Sequence, residues 1–291
     1  LGTSAYVEAD NVTLQSGNAF NKASPGAKIP GTNYDTPGWN VVSSSGGLAD
    51  VPAAESATTV VASALLQVGA GAQVTQTGSA AAPGTFRLDA WNNLAAVDKV
   101  KMTSGGAVSA ASAKSSIMED TPTVTNAMDA SIVVAPAATM SSLGEMALGV
   151  RSDANVYSQA AVDVYGAVGV APAGDSVARF KGTNSVDIGA TAELSSANDV
   201  RLSAGSDSVD NLNHLVAEAR TDVFNNTAIP VNRDPVADAV IQTHSQVSIG
   251  AGAKVNAAGN IKLYADEGDA TASGVGIGKD IYREALAAVA S

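Results

Sequence analysis

Apolar and polar residues alternate along much of the chain with a period of two. Val186, Ile188, Ala190 and Ala192 alternate with Asp187, Gly189 and Thr191. Val200 and Leu202 alternate with Asp199, Arg201 and Ser203. Successive side chains of a strand point to opposite faces, so this pattern predicts short strands with one face buried. Ser195 to Asn198 reads as the small turn between two of them.

The pattern recurs at long range. The segment from Val186 to Leu194 aligns without a gap with Val247 to Val255, 61 positions later. The match continues through Asp199 to Ala204 against Asn260 to Ala265. A third copy starts at Leu66 to Val74 and resumes at Phe86 to Ala90. A fourth, more degraded, runs from Ile132 to Met140 and then Met146 to Leu148. The anchors Val68, Val134, Ile188 and Ile249 are spaced by 66, 54 and 61 residues.

Strands and turns that recur with the same side chains predict an all-β fold, a parallel β-helix or β-solenoid. Its expected hand is right, the strong preference of parallel crossover connections. At about 20 residues per coil, a unit near 60 holds two or three coils, and the chain makes roughly 13 coils over about 60 Å. In this register Val186, Ile188, Leu194, Val200 and Leu202 are interior, and so are their equivalents Val247, Ile249, Val255, Ile261 and Leu263. An ordinary β-sandwich is the alternative, but it calls for bulky inward residues and Asn-Gly hairpin turns, both infrequent here.

The expected organisation is a solenoid over residues 1–278, with a loop insertion near 21–47 and a helical segment over 279–291. Pro, Gly and Ser concentrate in Ser24 to Gly26, Pro37 to Trp39 and Ser43 to Gly47. Ile229-Pro230 and Asp234-Pro235 mark a second excursion. In the helical segment Asp280 can act as N-cap, and Ile281, Ala285, Leu286, Ala288 and Val289 share one face.

The repeat Val-x-Ile-Gly-x-Gly-Ala-x-Val, followed by Ile-x-Leu-x-Ala, resembles that of filamentous-haemagglutinin-type adhesins. More narrowly it is similar to the large leukotoxin-family filamentous adhesins of bacteria. Three further stretches fit that group: Arg220 to Pro230, Gly274 to Glu284, and the opening Asn11 to Asn18. The resemblance covers nearly the whole chain. It implies a secreted β-helical protein of great length, at the bacterial cell surface or in an extracellular matrix such as a biofilm. The implied roles are adhesion, cell coating or filament formation, and no catalytic residues are carried over.

Composition narrows the chemistry. The 291 residues include no cysteine and carry a formal net charge of -12. That excludes a disulfide scaffold and thiolate chemistry. The sequence pI near 4.4 argues against nucleic acid as a partner, because phosphate contacts need clustered Lys and Arg. No apolar run reaches the length of a membrane helix, so membrane insertion is not expected. Only 4% of residues are aromatic, which suits a narrow interior filled by small side chains.

Few residues are candidates for a site, and none is expected to be catalytic. The two histidines, His214 and His244, lack metal-ligand spacing. Ser273 to Asp280 approximates a phosphate-binding loop, but Ser273 stands at its first glycine position and Asp280 replaces its hydroxyl residue. The reading preferred for it is a hinge between solenoid and helix. No cofactor is expected. Asp266, Glu267 and Asp269 supply hard oxygen ligands for a peripheral calcium ion, against the plainer reading of a solvated acidic turn. Trp39, Tyr34 and Trp91 are the candidate contacts for a glycan.

Three functions fit these features. The first is a non-catalytic structural and adhesive segment of a surface filament. Its partners are other segments or copies of the same protein, and a host or neighbouring cell surface or its glycans. The alternatives are a β-helical carbohydrate-active enzyme, such as a polysaccharide lyase or depolymerase, and a passive glycan-binding module. Leu1 to Val7 reads as strand, and the other end stops inside an apolar stretch. Neither resembles the polar cap of a solenoid, so the chain is expected to be an internal portion of a much longer protein.

Overall fold

The computed structural model describes residues 1–22, 38–78 and 82–280. Among these residues every element is a strand, and every pairing between strands is parallel. The chain passes through three sheets in a fixed order and then begins again. Its first circuit holds β1 (Tyr6–Ala9), β2 (Val12–Lys22), β3 (Val41–Asp50), β4 (Ala53–Thr58) and β5 (Val61–Val68). The second holds β6 (Gln73–Gln76), β7 (Phe86–Ser109), β8 (Ser112–Ile117) and β9 (Ala127–Val134). The third holds β10 (Thr139–Ser142), β11 (Met146–Val170) and β12 (Ala173–Ile188). The fourth holds β13 (Glu193–Ser196), β14 (Val200–Ala204), β15 (His214–Val231) and β16 (Val236–Ile249). A partial fifth adds β17 (Lys254–Ala257), β18 (Ile261–Ala265) and β19 (Asp269–Asp280).

The first sheet stacks five short strands in the order β1-β6-β10-β13-β17. The second has eight strands and the third six. Each circuit therefore runs from a short strand into a long one, and back along the third sheet. The anchors of the repeat are Cα partners in adjacent circuits: Val68 with Val134, Val134 with Ile188, and Ile188 with Ile249. One repeat is thus one complete circuit, not two or three coils of about 20 residues. The stack is about 20 Å tall at the spacing of paired strands, instead of the expected 60 Å. The missing height has gone into width, because β11 alone has 25 residues, a contour of roughly 80 Å.

The long strands of the second and third sheets face one another across a core divided into three apolar compartments. The first, beside the short strands, packs Val68, Phe86, Leu88, Ile132, Met146 and Ile188. The second packs Leu94, Ile117, Met128, Val156, Phe180 and Leu215. The third, at the far end, packs Val100, Met102, Val162 and Val164 against Ala111 and Ala113. Buried polar side chains separate them. Between the first and second, Ser152 Oγ donates to Asn184 Oδ1 at 2.7 Å and the Ser152 N–H donates to Asn213 Oδ1 at 2.8 Å. Between the second and third, Ser158 Oγ donates to Ser115 Oγ at 2.8 Å, and Ser176 and Thr221 hydroxyls meet at 2.7 Å. There too Asp98 accepts from Thr58 Oγ1 at 2.9 Å and pairs with Lys22 at 3.2 Å.

Several expectations need correction. Val186, Ile188, Leu194, Val200 and Leu202 are fully buried, but Val247 and Val255 are half-buried, and Ile249, Ile261 and Leu263 are 44%, 49% and 51% exposed. The alternation was right; the last circuit has no described circuit stacked on its outer side. Ala190 is exposed, because the chain turns a corner after Ile188 and the period of two breaks there. Ser195 and Ser196 belong to β13, so the turn after it is confined to Ala197 to Asp199. Leu1 to Ala5 precede the first strand instead of forming it.

Much of the expected insertion at 21–47 is strand as well. Asn21 and Lys22 close β2 and Val41 to Gly47 open β3; residues 23–37 lie outside the described residues. Gly46 and Gly47 pair with Gly105 and Gly106, and at Gly106 the Gly47 carbonyl approaches too closely for a side chain. Ile229 and Pro230 lie in β15, beyond the reach of β19, so the missing proline N–H faces no described partner strand. Lys279 and Asp280 are the end of β19, not the start of a helix, and Asp280 accepts from Asn232 Nδ2 at 2.7 Å. The rest of the expected helix, 281–291, lies outside the described residues.

Candidate functional site

The outward-facing residues of the second sheet form rows that cross its strands about every 4.8 Å. Ala19, Asn93, Asp153, His214 and Asp269 are register partners in one row. The row beside it holds Gly17, Trp91 and Arg151. Each stands at the outward position of a two-residue period, and all but Trp91 are polar or small.

Between β14 and β15 the chain leaves the sheet and folds back over this face. Ser206 bridges antiparallel to Val150 and to Leu212. Gly149 leaves the space, since a Cβ there would collide with the backbone of Asp207 and Ser208. Asp89 clamps the loop from below, accepting the Ser208 N–H at 2.8 Å and its Oγ at 2.9 Å. Asp207 Oδ1 accepts the N–H groups of Val209 and Asn211 at 3.0 and 2.9 Å. Arg151 pairs with Asp153 at 3.1 Å and with Asp207 at 3.5 Å.

The anchored loop divides the face into two adjoining basins. The larger, about 790 Å³, is lined by Phe20, Asn21, Asn155, Asn211, His214 and Asp269. The smaller, about 510 Å³, is lined by Gln15, Arg87, Asp89, Trp91 and Val209. Asn93, Arg151 and Asp153 belong to both. Burial raises the Asp153 carboxyl above its usual range, against the opposing pull of Arg151, of the His214 N–H bonded to it, and of the His214 ring. The trough therefore offers amides, carboxylates and two guanidiniums, with Trp91 in the smaller basin and Phe20 and His214 in the larger, which is chemistry for binding a polar ligand.

Of the residues singled out in the sequence, Trp91 lines the smaller basin and His214 and Asp269 the larger. Trp39 lies farther along the same sheet, its ring centroid 4.9 Å from Lys99 Nζ and 6.0 Å from Lys101 Nζ. Lys99 is roughly 26 Å beyond Trp91 on β7, so the two tryptophans do not share a basin. Tyr34 lies outside the described residues.

The three acidic residues of the proposed calcium turn diverge. Asp266 Oδ1 accepts the Gly268 N–H at 2.9 Å, Glu267 reaches Thr243 and the Ser245 N–H on β16, and Asp269 lines the larger basin. Among the described residues no group of three or more His, Asp or Glu side chains is placed to hold a metal ion. His214 and His244 stand on different sheets, His244 beside Gln246 Oε1 at 3.3 Å. The stretch Ser273 to Asp280 is extended strand, so it forms no phosphate cradle and no hinge.

Arg151, Asp153, Asn93 and Gly17 carry the trough and had no motif to mark them. The signal that finds them is the repeat itself, extended one step outward. Once the copies are in register, a tryptophan, an arginine and a glycine share one outward column. No protein-family model, no curated protein and no solved structure matches the chain.

Proposed function

We propose that the chain is a non-catalytic structural and adhesive segment of a secreted bacterial surface filament, folded as a right-handed parallel β-helix. The hand follows the general preference of parallel crossovers. One observation carries the filament reading. The last described circuit presents both an open edge and an uncovered core. β16, β17, β18 and β19 each pair on one side only among the described residues. Ile249, Ile261 and Leu263 are stacked in register on the buried Ile188, Val200 and Leu202, yet are about half exposed. A strand edge with no further described strand beside it, next to an apolar surface, is matched by another circuit of the same kind.

The non-catalytic reading rests on the scarcity of groups that a fold can tune, with two histidines and no cysteine in 291 residues. Resemblance to filamentous adhesins supplies the surface location. Sedimentation of the 291-residue chain tests the filament reading. It should associate with rising concentration, and Ile249→Lys with Leu263→Lys should return it to a monomer. A native chain that stays monomeric over the whole range overturns this reading. So does turnover of a polysaccharide that a single Asp or Glu substitution abolishes.

A further inference from the structure

The smaller basin of the trough on the second sheet holds a flat aromatic surface. Trp91 faces outward from β7, and its register partner on β2 is Gly17. A Cβ built at Gly17 would collide with Cε2 of Trp91, at the fusion of the indole rings, and with the two ring atoms bonded to it, Cζ2 and Cδ2. An edge-on ring would meet that point with its rim. The indole therefore lies face down across Gly17. Aromatic residues shield strand glycines in this way, which accounts for one face of the ring. The other face is turned into the smaller basin, which Trp91 lines together with Gln15, Asp89 and Asn93.

We propose that this trough binds a neutral oligosaccharide, with one pyranose ring stacked on the free face of Trp91 and its hydroxyls bonded by Asn93, Asp153 and Arg151. A pyranose presents a face of C–H groups and a rim of hydroxyls that both donate and accept. The indole matches the face. An amide, a carboxylate and a guanidinium within the same trough match the rim. The two basins, about 510 and 790 Å³, have the size of small-ligand sites and adjoin, so the trough accommodates several sugar units in line.

Charge selects among glycans. Arg151 is already paired with Asp153 and Asp207, and Asp89 with Ser208. The smaller basin also holds Arg87, but the larger adds Asp210 and Asp269, so carboxylates outnumber guanidiniums across the trough, and the whole chain carries -12. A sulfated or uronic polymer meets net repulsion there, whereas neutral hydroxyls do not. The loop over the trough is fixed by its clamp on Asp89, so little ordering is required on binding. This proposal is independent of the filament reading, since a monomer holds the whole trough.

Trp39→Phe leaves Trp91 as the sole tryptophan and makes its emission a report on the site. Cellohexaose, maltohexaose, mannohexaose and N-acetylchitohexaose are the neutral probes, with heparin as the polyanion. At least one neutral hexasaccharide should give a saturable change in emission. Calorimetry on the otherwise native chain should show its affinity reduced about tenfold or more by Trp91→Ala and by Asn93→Ala. If Trp91→Ala does not fold, Asn93→Ala decides. The proposal is overturned if no neutral probe binds up to about 10 mM, the weak end of measurable affinity. It is equally overturned if heparin alone binds, or if Asn93→Ala leaves the affinity unchanged.

Discussion

One backbone position recurs with the same conformation in every circuit. Ser4, Gly71, Ala137, Thr191 and Gly252 have φ of 54°, 66°, 59°, 59° and 73°. All stand at the corner where the chain enters the first sheet, and only two are glycine. A left-handed backbone costs a residue with a Cβ roughly 1–2 kcal/mol, and a β-branched one is worst placed. Thr191→Gly is therefore expected to raise stability by about 1 kcal/mol, after allowing for the freedom glycine gains in the unfolded chain. Thermal unfolding should show a rise of about 2 °C. Carboxylates on the sheets give a second expectation. Hydrogen bonds from Lys262 Nζ and the Asn260 N–H, both at 2.7 Å, hold Asp199 below its usual range. Its contribution is present above about pH 4 and is lost as pH falls through the depressed value. Asp153 has the opposite sign, because burial makes the folded form bind a proton more readily than the unfolded chain. Its contribution is favourable at acid pH and lost as pH rises through the raised value. At pH 7 Asp199→Asn should lower the melting temperature and Asp153→Asn should raise it. The Asp153 difference should shrink as pH falls through its raised value towards about pH 4, whereas the Asp199 difference should shrink only below about pH 4.

At the scale of elements, the strands were legible and their length was not. Val186 to Ile188 and Val200 to Leu202 read correctly because outward polar residues, Asp187 and Arg201, alternate with inward branched ones. The strands β7 and β11 read poorly because their inward faces change character along their length. Leu94, Asp98 and Met102 all point inward from β7, and a buried Asp interrupts any apolar periodicity. The polar partitions are nonetheless part of the packing. Asn184 is 1% exposed, accepts from Ser152 Oγ and donates to Asn213 Oδ1 at 3.4 Å. Asn184→Ala leaves a hydroxyl and an amide oxygen short of partners between two apolar compartments. It should cost about 2–3 kcal/mol, measured by urea unfolding. Ser152→Ala combined with it should cost less than the sum of the two, since the partners are removed together.

At the scale of the molecule, width and height trade against each other. A circuit near 60 residues encloses a long flat core that small side chains can fill only in compartments, with polar groups bonded to each other at the joints. The same geometry makes the outer face of the second sheet broad enough for a loop to fold onto it. That loop, residues 205–213, turns a plain sheet surface into a trough. The uncovered apolar row at the last circuit belongs to this scale too, because the side chains that are core in the fourth circuit become surface in the fifth. Their chemistry is unchanged, and only the presence of a stacked neighbour differs.

The sequence by itself determined the all-β class and the cross-strand register. Its 66-, 54- and 61-residue spacings are the register, because identical inward positions must stack for an interior of small side chains to close. It also determined the left-handed corner, visible as the second glycine of the Gly-Ala-Gly turn in two copies. Tertiary structure decided how many strands make one circuit, since pairing between residues some 60 apart leaves no mark on the local period. It decided that Ile249 and Leu263 are exposed while Ile188 and Leu202 are buried, because burial depends on what is stacked above and not on the residue. It brought Gly17, Trp91, Arg151 and Asp153 onto one face, across three circuits. No window of the chain contains all four, and only the folded register places them together.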